Sequence, residues 1–204
     1  MILSTSMKHG WYYYYKIHRA KLERVQSDYP SLHQFLHKVR TSRPDHYFDG
    51  GPRSSQITLP NQPDPMNKEH LVTTMARMGN ESDYYKDAHM NVQMFMLAYD
   101  KETVAMEVPV WLEEHEQESL QYIQGEGLLT GHIDLLRVED DAVWVWDYKP
   151  NAHRERNAVT QTFLYAYMLS LRTNIPLENF KCGYFDEQNA YVYDPTSVDL
   201  PNTN

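Results

Sequence analysis

Two aspartates and a lysine stand close together in a stretch otherwise built from apolar and aromatic residues. Gly131-His132-Ile133-Asp134-Leu135-Leu136 is followed by the acidic run Glu139-Asp140-Asp141, and then by Trp144-Val145-Trp146-Asp147-Tyr148-Lys149-Pro150. An ionised carboxylate inside an apolar run is costly unless it is paired or bound to a metal. Asp134 is in that position. Asp147 lies near the end of the second run, and Lys149, two residues on, projects to the same side of an extended chain. Two acids and an ammonium group converging in this way suit a divalent-metal site. A surface hairpin with Asp147 capping the turn at Pro150 and Lys149 in water is the plainer alternative. It leaves Asp134 without an explanation.

The elements that must hold these groups can be read from periodicity. Leu128 to Val138 reads as a strand in which Ile133 and Leu135 alternate against His132 and Asp134, and Ala142 to Tyr148 reads as its partner. The acidic turn between them makes the pair an antiparallel hairpin. Arg154 to Thr173 reads as a helix that carries Gln161 and Tyr165 on one face, one turn apart. Upstream, Thr103 to Glu113 reads as a strand, with Val104, Met106, Val108 and Val110 facing away from Glu107. Ser82 to Ala98 reads as a helix bearing His89, and Asn67 to Met78 as a helix packed through Leu71, Met75 and Met78 and ended by Gly79. A closing hairpin spans Phe180 to Tyr193.

The order of these groups resembles the PD-(D/E)XK nuclease superfamily. Gly131-x-x-Asp134, then Asp147-Tyr148-Lys149, then Gln161-x-x-x-Tyr165 on the next helix resembles its RecB-type branch, which includes helicase-linked exonucleases and CRISPR-associated nucleases. The likeness covers roughly residues 85 to 186. Ile133 stands where the proline that names the superfamily would be. The resemblance implies an α/β fold of the restriction-endonuclease type, a mixed sheet with helices on both faces. It implies a Mg²⁺- or Mn²⁺-dependent deoxyribonuclease, exonuclease or endonuclease, in DNA repair, recombination, replication or defence. Asp134 and Asp147 would hold the metal with the Tyr148 backbone carbonyl. Lys149 would act on the attacking water, Gln161 would hydrogen-bond near the site, and Tyr165 would contact the nucleic acid. His89 and Glu107 match a metal-binding histidine and an accessory acid of that branch. A histidine bonded at the core edge and a solvated glutamate are the structural alternatives. A catalytically silent nucleic-acid-binding subunit with the same fold is the rival function.

The N-terminal third is harder to read. Residues 7 to 27 read as a helix rich in tyrosine and cations, with Lys16, Arg19 and Arg24 offered to phosphates. Packing of the tyrosines onto the core is the competing role. Ser31 to Val39 reads as a short helix with Ser31 as its N-cap. Thr41 to Pro65 reads as a long loop, with Arg40, Arg43 and Arg53 making it either a substrate flap or a plain connection. Glu113 to Glu118 reads as a solvated turn. The expected organisation is a single nuclease domain over 1–204, with N-terminal helices and loop (1–66), core (67–194) and tail (195–204).

Composition bounds the rest. The chain has 204 residues, 41% hydrophobic and 23% charged, which suits one domain with a sizeable core. The net charge of −9 speaks mildly against indiscriminate nucleic-acid binding, although bound cations offset acidic metal ligands. Cys182 is the only cysteine, so the four-cysteine iron–sulfur cluster of some RecB-type relatives has no ligand set here. Met1 to Ser6 lacks the apolar core of a signal peptide, and a cytoplasmic setting is the expectation. DNA is the expected partner, with a separately encoded helicase or recombination protein as a further one.

Overall fold

A computed structural model of the chain describes residues 1–59, 61–117 and 127–198. The strands are β1 (Ile2–His9), β2 (Trp11–His18), β3 (Met66–Asn67), β4 (Thr103–Trp111), β5 (Thr130–Glu139), β6 (Ala142–Tyr148), β7 (Phe180–Phe185) and β8 (Ala190–Tyr193). The helices are α1 (Arg19–Val25), α2 (Pro30–Lys38), α3 (Leu71–Glu81), α4 (Ala88–Tyr99), the single turn α5 (Glu114–Gln117) and α6 (Ala158–Thr173). All eight strands join one sheet in the order β1-β2-β4-β5-β6-β7-β8-β3. Among the described strands only β6 and β7 run parallel, and α6 is the crossover between them. The fold is therefore an α/β mixed sheet flanked by helices, of the restriction-endonuclease type.

Each face of the sheet carries its own apolar cluster. Leu22 and Val25 of α1, Leu32 and Leu36 of α2 and Phe163, Leu164 and Met168 of α6 pack on one side, against Val108, Ile133, Val145 and Cys182. Val72 and Ala76 of α3 and Val92, Met96 and Leu97 of α4 pack on the other, against Met106, Leu135, Trp146 and Phe185. The central strands are thus covered on both faces, so β4 and β5 are buried almost throughout. The simple alternation expected for them does not hold. Met106 and Val108 fall in opposite clusters, as do Ile133 and Leu135. The change of side occurs at Glu107 on β4 and at Asp134 on β5, and Glu107 has φ 52°. A non-glycine residue in that region costs on the order of 1–3 kcal/mol.

The β5–β6 hairpin forms as its sequence requires. Asp140 and Asp141 occupy a two-residue turn with φ 50° and 57°, the left-handed geometry that aspartate tolerates and that matches strand twist. The N-terminal segment departs from expectation. Residues 2–18 are a hairpin turning at Gly10, whose φ is 74°, and only Arg19–Val25 is helical. Tyr15 is buried and Tyr13 half-buried while Tyr12 and Tyr14 are exposed, the period-two pattern of a strand, and Trp11 is exposed beside the turn. Helix α2 starts at Pro30, whose missing N–H suits the first turn, and Ser31 is not its cap.

The other helices shift as well. Helix α3 begins at Leu71 after His70, whose Nδ1 accepts from Val72 N at 3.3 Å. It buries Val72 and Ala76 and leaves Leu71 and Met78 exposed. Gly79 lies inside it rather than ending it. A Cβ there would come within 2.9 Å of Val92 Cα, so glycine allows α4 to approach closely. Residues 41–59 are not a free flap. They form two short turns with Phe48, Ser54 and Leu59 buried, and Leu59 N donates to Thr160 Oγ1 at 3.0 Å. Glu113 is not solvated either. It accepts from Trp111 Nε1 at 2.9 Å and Arg172 Nη1 at 2.9 Å, and Arg172 also bonds Glu116. Residues 118 and 199–204, part of the expected acidic turn and tail, lie outside the described residues. No helix among the described residues is long and apolar enough to cross a membrane.

At the start of β4, Arg137 Nε donates to Asp100 Oδ2 at 2.8 Å, and Thr103 N donates to the same oxygen at 3.1 Å. Burial would raise the Asp100 carboxyl, but Arg137 and Thr103 outweigh it and hold it below the usual range. Asp100→Ala should therefore cost about 3 kcal/mol, read from the urea midpoint at pH 7, because it strips the buried Arg137 of the more buried of its two carboxylate partners, the other being Glu139. Because the folded pKa is depressed, this contribution is present above the ordinary carboxylate range and lost as pH falls through the folded value. The gap between parent and variant should narrow on acidification.

Candidate active site

The β5–β6 hairpin, α4 and α6 bring the chemistry-bearing groups to one cleft of about 220 Å³, lined by His89, Glu107, His132, Asp134, Gln161 and Tyr165 together with Tyr13, Arg53 and Ser54. A larger groove of about 560 Å³ opens between α2 and Trp111. Its one acid among the described residues, Glu113, is already bound to Trp111 and Arg172, whereas the smaller cleft gathers acids and a histidine free to converge.

Asp134 and Asp147 are both buried, and they differ in their partners. Asp134 Oδ2 lies 2.7 Å from His89 Nε2 and accepts from Tyr148 N at 3.0 Å. Burial works against its ionised form, but the imidazolium of His89 and the nearby Lys149 hold it down at about 2. Asp147 is 1% exposed, and neither of its oxygens accepts an aligned hydrogen bond. Lys149 Nζ lies 2.7 Å from its Oδ2. Burial and the Asp134 charge push the Asp147 carboxyl well above the usual carboxylate range, with Lys149 opposing. Lys149 itself is raised: burial disfavours its charge, and the two aspartates more than compensate.

His89 and Glu107 join these groups rather than standing apart. Asp87 caps α4 by accepting from His89 N at 3.0 Å, which fixes the first turn that presents the imidazole. Burial lowers the His89 pKa, but Asp134, Asp147 and Glu107 together carry it up to about 9. Glu107 accepts from Gln93 Nε2 at 2.7 Å. Burial and the Asp134 charge push its carboxyl up to about 7. One ligand atom each from His89, Glu107 and Asp134 lie within 4.8 Å of one another. Carboxylate oxygens with one imidazole, beside a buried aspartate whose oxygens accept no aligned hydrogen bond, are a donor set that fits a Mg²⁺- or Mn²⁺-type ion.

The helix residues close the other wall. Gln161 Nε2 donates to Tyr165 Oη at 2.7 Å, and both side chains are buried. The Tyr165 ring lies where a side chain at residue 131 would be: a Cβ on Gly131 would fall 2.2 Å from Tyr165 Cε1 and 2.6 Å from Ser54 Oγ. That contact gives Gly131-x-x-Asp134 and Gln161-x-x-x-Tyr165 a common physical reason.

The matched model for the PD-(D/E)XK nuclease superfamily spans residues 10–201. The chain belongs to the PD-(D/E)XK nuclease superfamily. No curated protein matches the sequence. The superfamily match covers the N-terminal hairpin from its turn onward as well as the β5–β6 hairpin and α6.

Two sets of residues stand differently from the sequence reading. Lys16, Arg19 and Arg24 do not line one helix. Lys16 is on β2 near Glu107, with Nζ 3.9 Å from Met90 Sδ. Arg19 pairs with Glu23 at 3.7 Å, and Arg24 donates to Lys101 O at 2.8 Å. The second set was missed. His132 stacks on Tyr13 with ring centroids 3.8 Å apart, and its Nε2 lies 2.8 Å from His9 Nδ1. His9 Nε2 in turn lies 2.8 Å from Asp45 Oδ1. Arg53 donates to Tyr13 Oη at 2.8 Å and to His9 O at 2.9 Å, tying the hairpin to the cleft. The presence of His132 within Gly131-x-x-Asp134 was the one available signal. His9, Tyr13 and Arg53 are more than 75 residues away in sequence and carry no spacing cue.

Asp147→Asn should raise the thermal midpoint of the metal-free chain by a few degrees at pH 7, since a carboxylate whose folded pKa is raised costs stability when ionised. The same variant should lose Mn²⁺ binding by calorimetry. Gly131→Ala should cost roughly 1–3 kcal/mol by overpacking. Adding Tyr165→Ala to that variant should cost less than Tyr165→Ala alone, a coupling read from a double-mutant cycle.

Proposed function

We propose that the chain is a Mg²⁺- or Mn²⁺-dependent deoxyribonuclease of the RecB-like branch, with Asp134 and Asp147 as its central metal ligands. The observation that carries this reading is the pair of buried carboxylates on one hairpin, with Asp147 free of aligned hydrogen bonds and Lys149 2.7 Å from it. A structural role alone would leave a carboxylate buried at net cost.

His89, Glu107 and the Tyr148 carbonyl complete the proposed ligand set. A divalent cation held there supplies a water of lowered pKa and a clamp on a phosphate oxygen. Lys149, protonated beside Asp147, orients the attacking water and offsets charge as the phosphate is attacked. Gln161 fixes the Tyr165 hydroxyl, which stays protonated because burial and the two aspartates raise its pKa well above the usual value. Tyr165 is too enclosed between Gly131 and Ser54 to stack on a base. Its proposed part is to donate toward the reacting phosphate and to shape the wall.

Lys16 and Arg53, at the rim, supply positive charge for the nucleic-acid backbone. The exposed Trp11, Tyr12 and Tyr14 on the N-terminal hairpin supply flat faces for unpaired bases. Arg19 and Arg24 contribute at longer range. A helicase or recombination partner would deliver the strand.

The test is cleavage of labelled DNA with and without Mg²⁺ or Mn²⁺, alongside Mn²⁺ titration of variants. The parent should cut, and excess chelator should stop it. Lys149→Ala should lower turnover by at least 10³-fold while binding Mn²⁺ like the parent, because its contribution is confined to the transition state. Asp134→Ala should lose both. Tight Mn²⁺ binding by Asp134→Ala would remove the assignment. DNA binding without metal-dependent cutting by the parent would point to a silent binding subunit.

A further inference from the structure

Helices α1 and α2 carry a second set of metal-type ligands on the outer side of the fold, built from residues that take no part in the cleft. His33 and His37 are four apart on α2, so they lie one turn above the other on the same face. Their ring centroids are 4.7 Å apart. Glu23 projects from α1 toward them, with Oε2 3.5 Å from His33 Nε2. One ligand atom from each of the three lies within 4.8 Å of the others.

Two further observations bear on what this cluster holds. His33 Nε2 is buried and makes no aligned hydrogen bond, which is a cost that a bound ion would remove. Glu23 divides its oxygens: Oε1 lies 3.7 Å from Arg19 Nε, while Oε2 is left facing the imidazole. Arg19 therefore orients the carboxylate without blocking the inner oxygen.

We propose that Glu23, His33 and His37 form a second metal site, selective for Zn²⁺ or a similar transition-metal ion, that pins α1 to α2. Two imidazoles and one carboxylate, with water in the fourth position, are a zinc-type ligand set. Bond lengths near 2.0–2.2 Å place tetrahedral ligands about 3.4 Å apart. The Glu23–His33 pair is already at 3.5 Å, and the His37 ligand atom lies within 4.8 Å of both. Mg²⁺ prefers oxygen ligands in octahedral geometry, so it is disfavoured here and suited to the carboxylate-rich cleft. The two sites thus differ in ligand chemistry, and metal at the second site ties the segment after the N-terminal hairpin to the next helix.

The experiment separates the two sites. In an Asp134→Asn background, which weakens the cleft, Co²⁺ is titrated as a spectroscopic stand-in for Zn²⁺, and thermal melts are run with and without Zn²⁺. One equivalent of Co²⁺ should bind at micromolar concentration with the visible absorption of a four-coordinate ion. Adding His33→Gln and His37→Gln should weaken that binding at least 30-fold and remove the band. Zn²⁺ should raise the melting midpoint on the order of 5 °C in the first chain and not in the second. The same melts on the parent and on His33→Gln/His37→Gln in excess Mg²⁺ repeat the comparison without touching the cleft. Equal uptake with and without the two histidines, or no uptake in the Asp134→Asn chain at 100-fold metal excess, overturns the proposal. Neither result bears on Mg²⁺-dependent cutting, which is measured separately.

Discussion

The cost of burying Asp134 and Asp147 together sets the terms for the rest of this molecule. Two carboxylates taken from water into a packed interior repel one another and lose hydration, and each needs compensation or must give up its charge. Asp134 is compensated by the His89 imidazolium and the Tyr148 N–H. Asp147 is met by the ammonium of Lys149 at 2.7 Å, without an aligned hydrogen bond to its oxygens. Everything around the cleft follows from placing these compensating groups: Asp87 caps the helix turn that presents His89, and β6 ends where Lys149 N still donates to Phe185 O. The pair of buried carboxylates is a place of stored cost, in keeping with the proposed role of holding a cation.

The sheet gives way at the same level. Glu107 takes up a left-handed conformation, and both β4 and β5 change the side to which their residues point at Glu107 and Asp134. A regular pair of strands would send both acids into an apolar layer. The local departure instead turns them toward α4 and the cleft. Such a departure costs stability locally, and the two apolar clusters on either face of the sheet are what sustain it. The fit of Tyr165 into the space above Gly131 adds the last wall, so a backbone without a side chain, not a polar contact, decides how close α6 comes to β5.

How much of this was legible depended on how local the determining force was. The β5–β6 hairpin could be read because its turn, its β-branched and aromatic content and its acids lie within about twenty residues of one another. Asp134 was recognisable because a charge in an apolar run has few uses. The N-terminal segment was misread for a related reason: a run of tyrosines and cations fits a helix or a strand by content, and Gly10 together with the Ser-Thr-rich first residues was the overlooked sign of a hairpin. The helix limits at Ser82 and Asn67 failed because Asp87 and His70, not the apolar spacing, begin α4 and α3.

By itself the sequence determined the α/β class, the hairpin that holds Asp134, Asp147 and Lys149, and the helix that carries Gln161 and Tyr165, because each rests on short-range periodicity or on the chemistry of one residue type. Only the tertiary structure decided which distant groups complete the cleft. His89 and Glu107 reach Asp134 through the packing of α4 on β4, and Tyr13, His9 and Arg53 reach His132 through the N-terminal hairpin at the sheet edge. Those meetings depend on strand order and on the two-sided burial of the sheet, which are fixed by contacts between segments far apart in the chain, and no spacing within one segment encodes them.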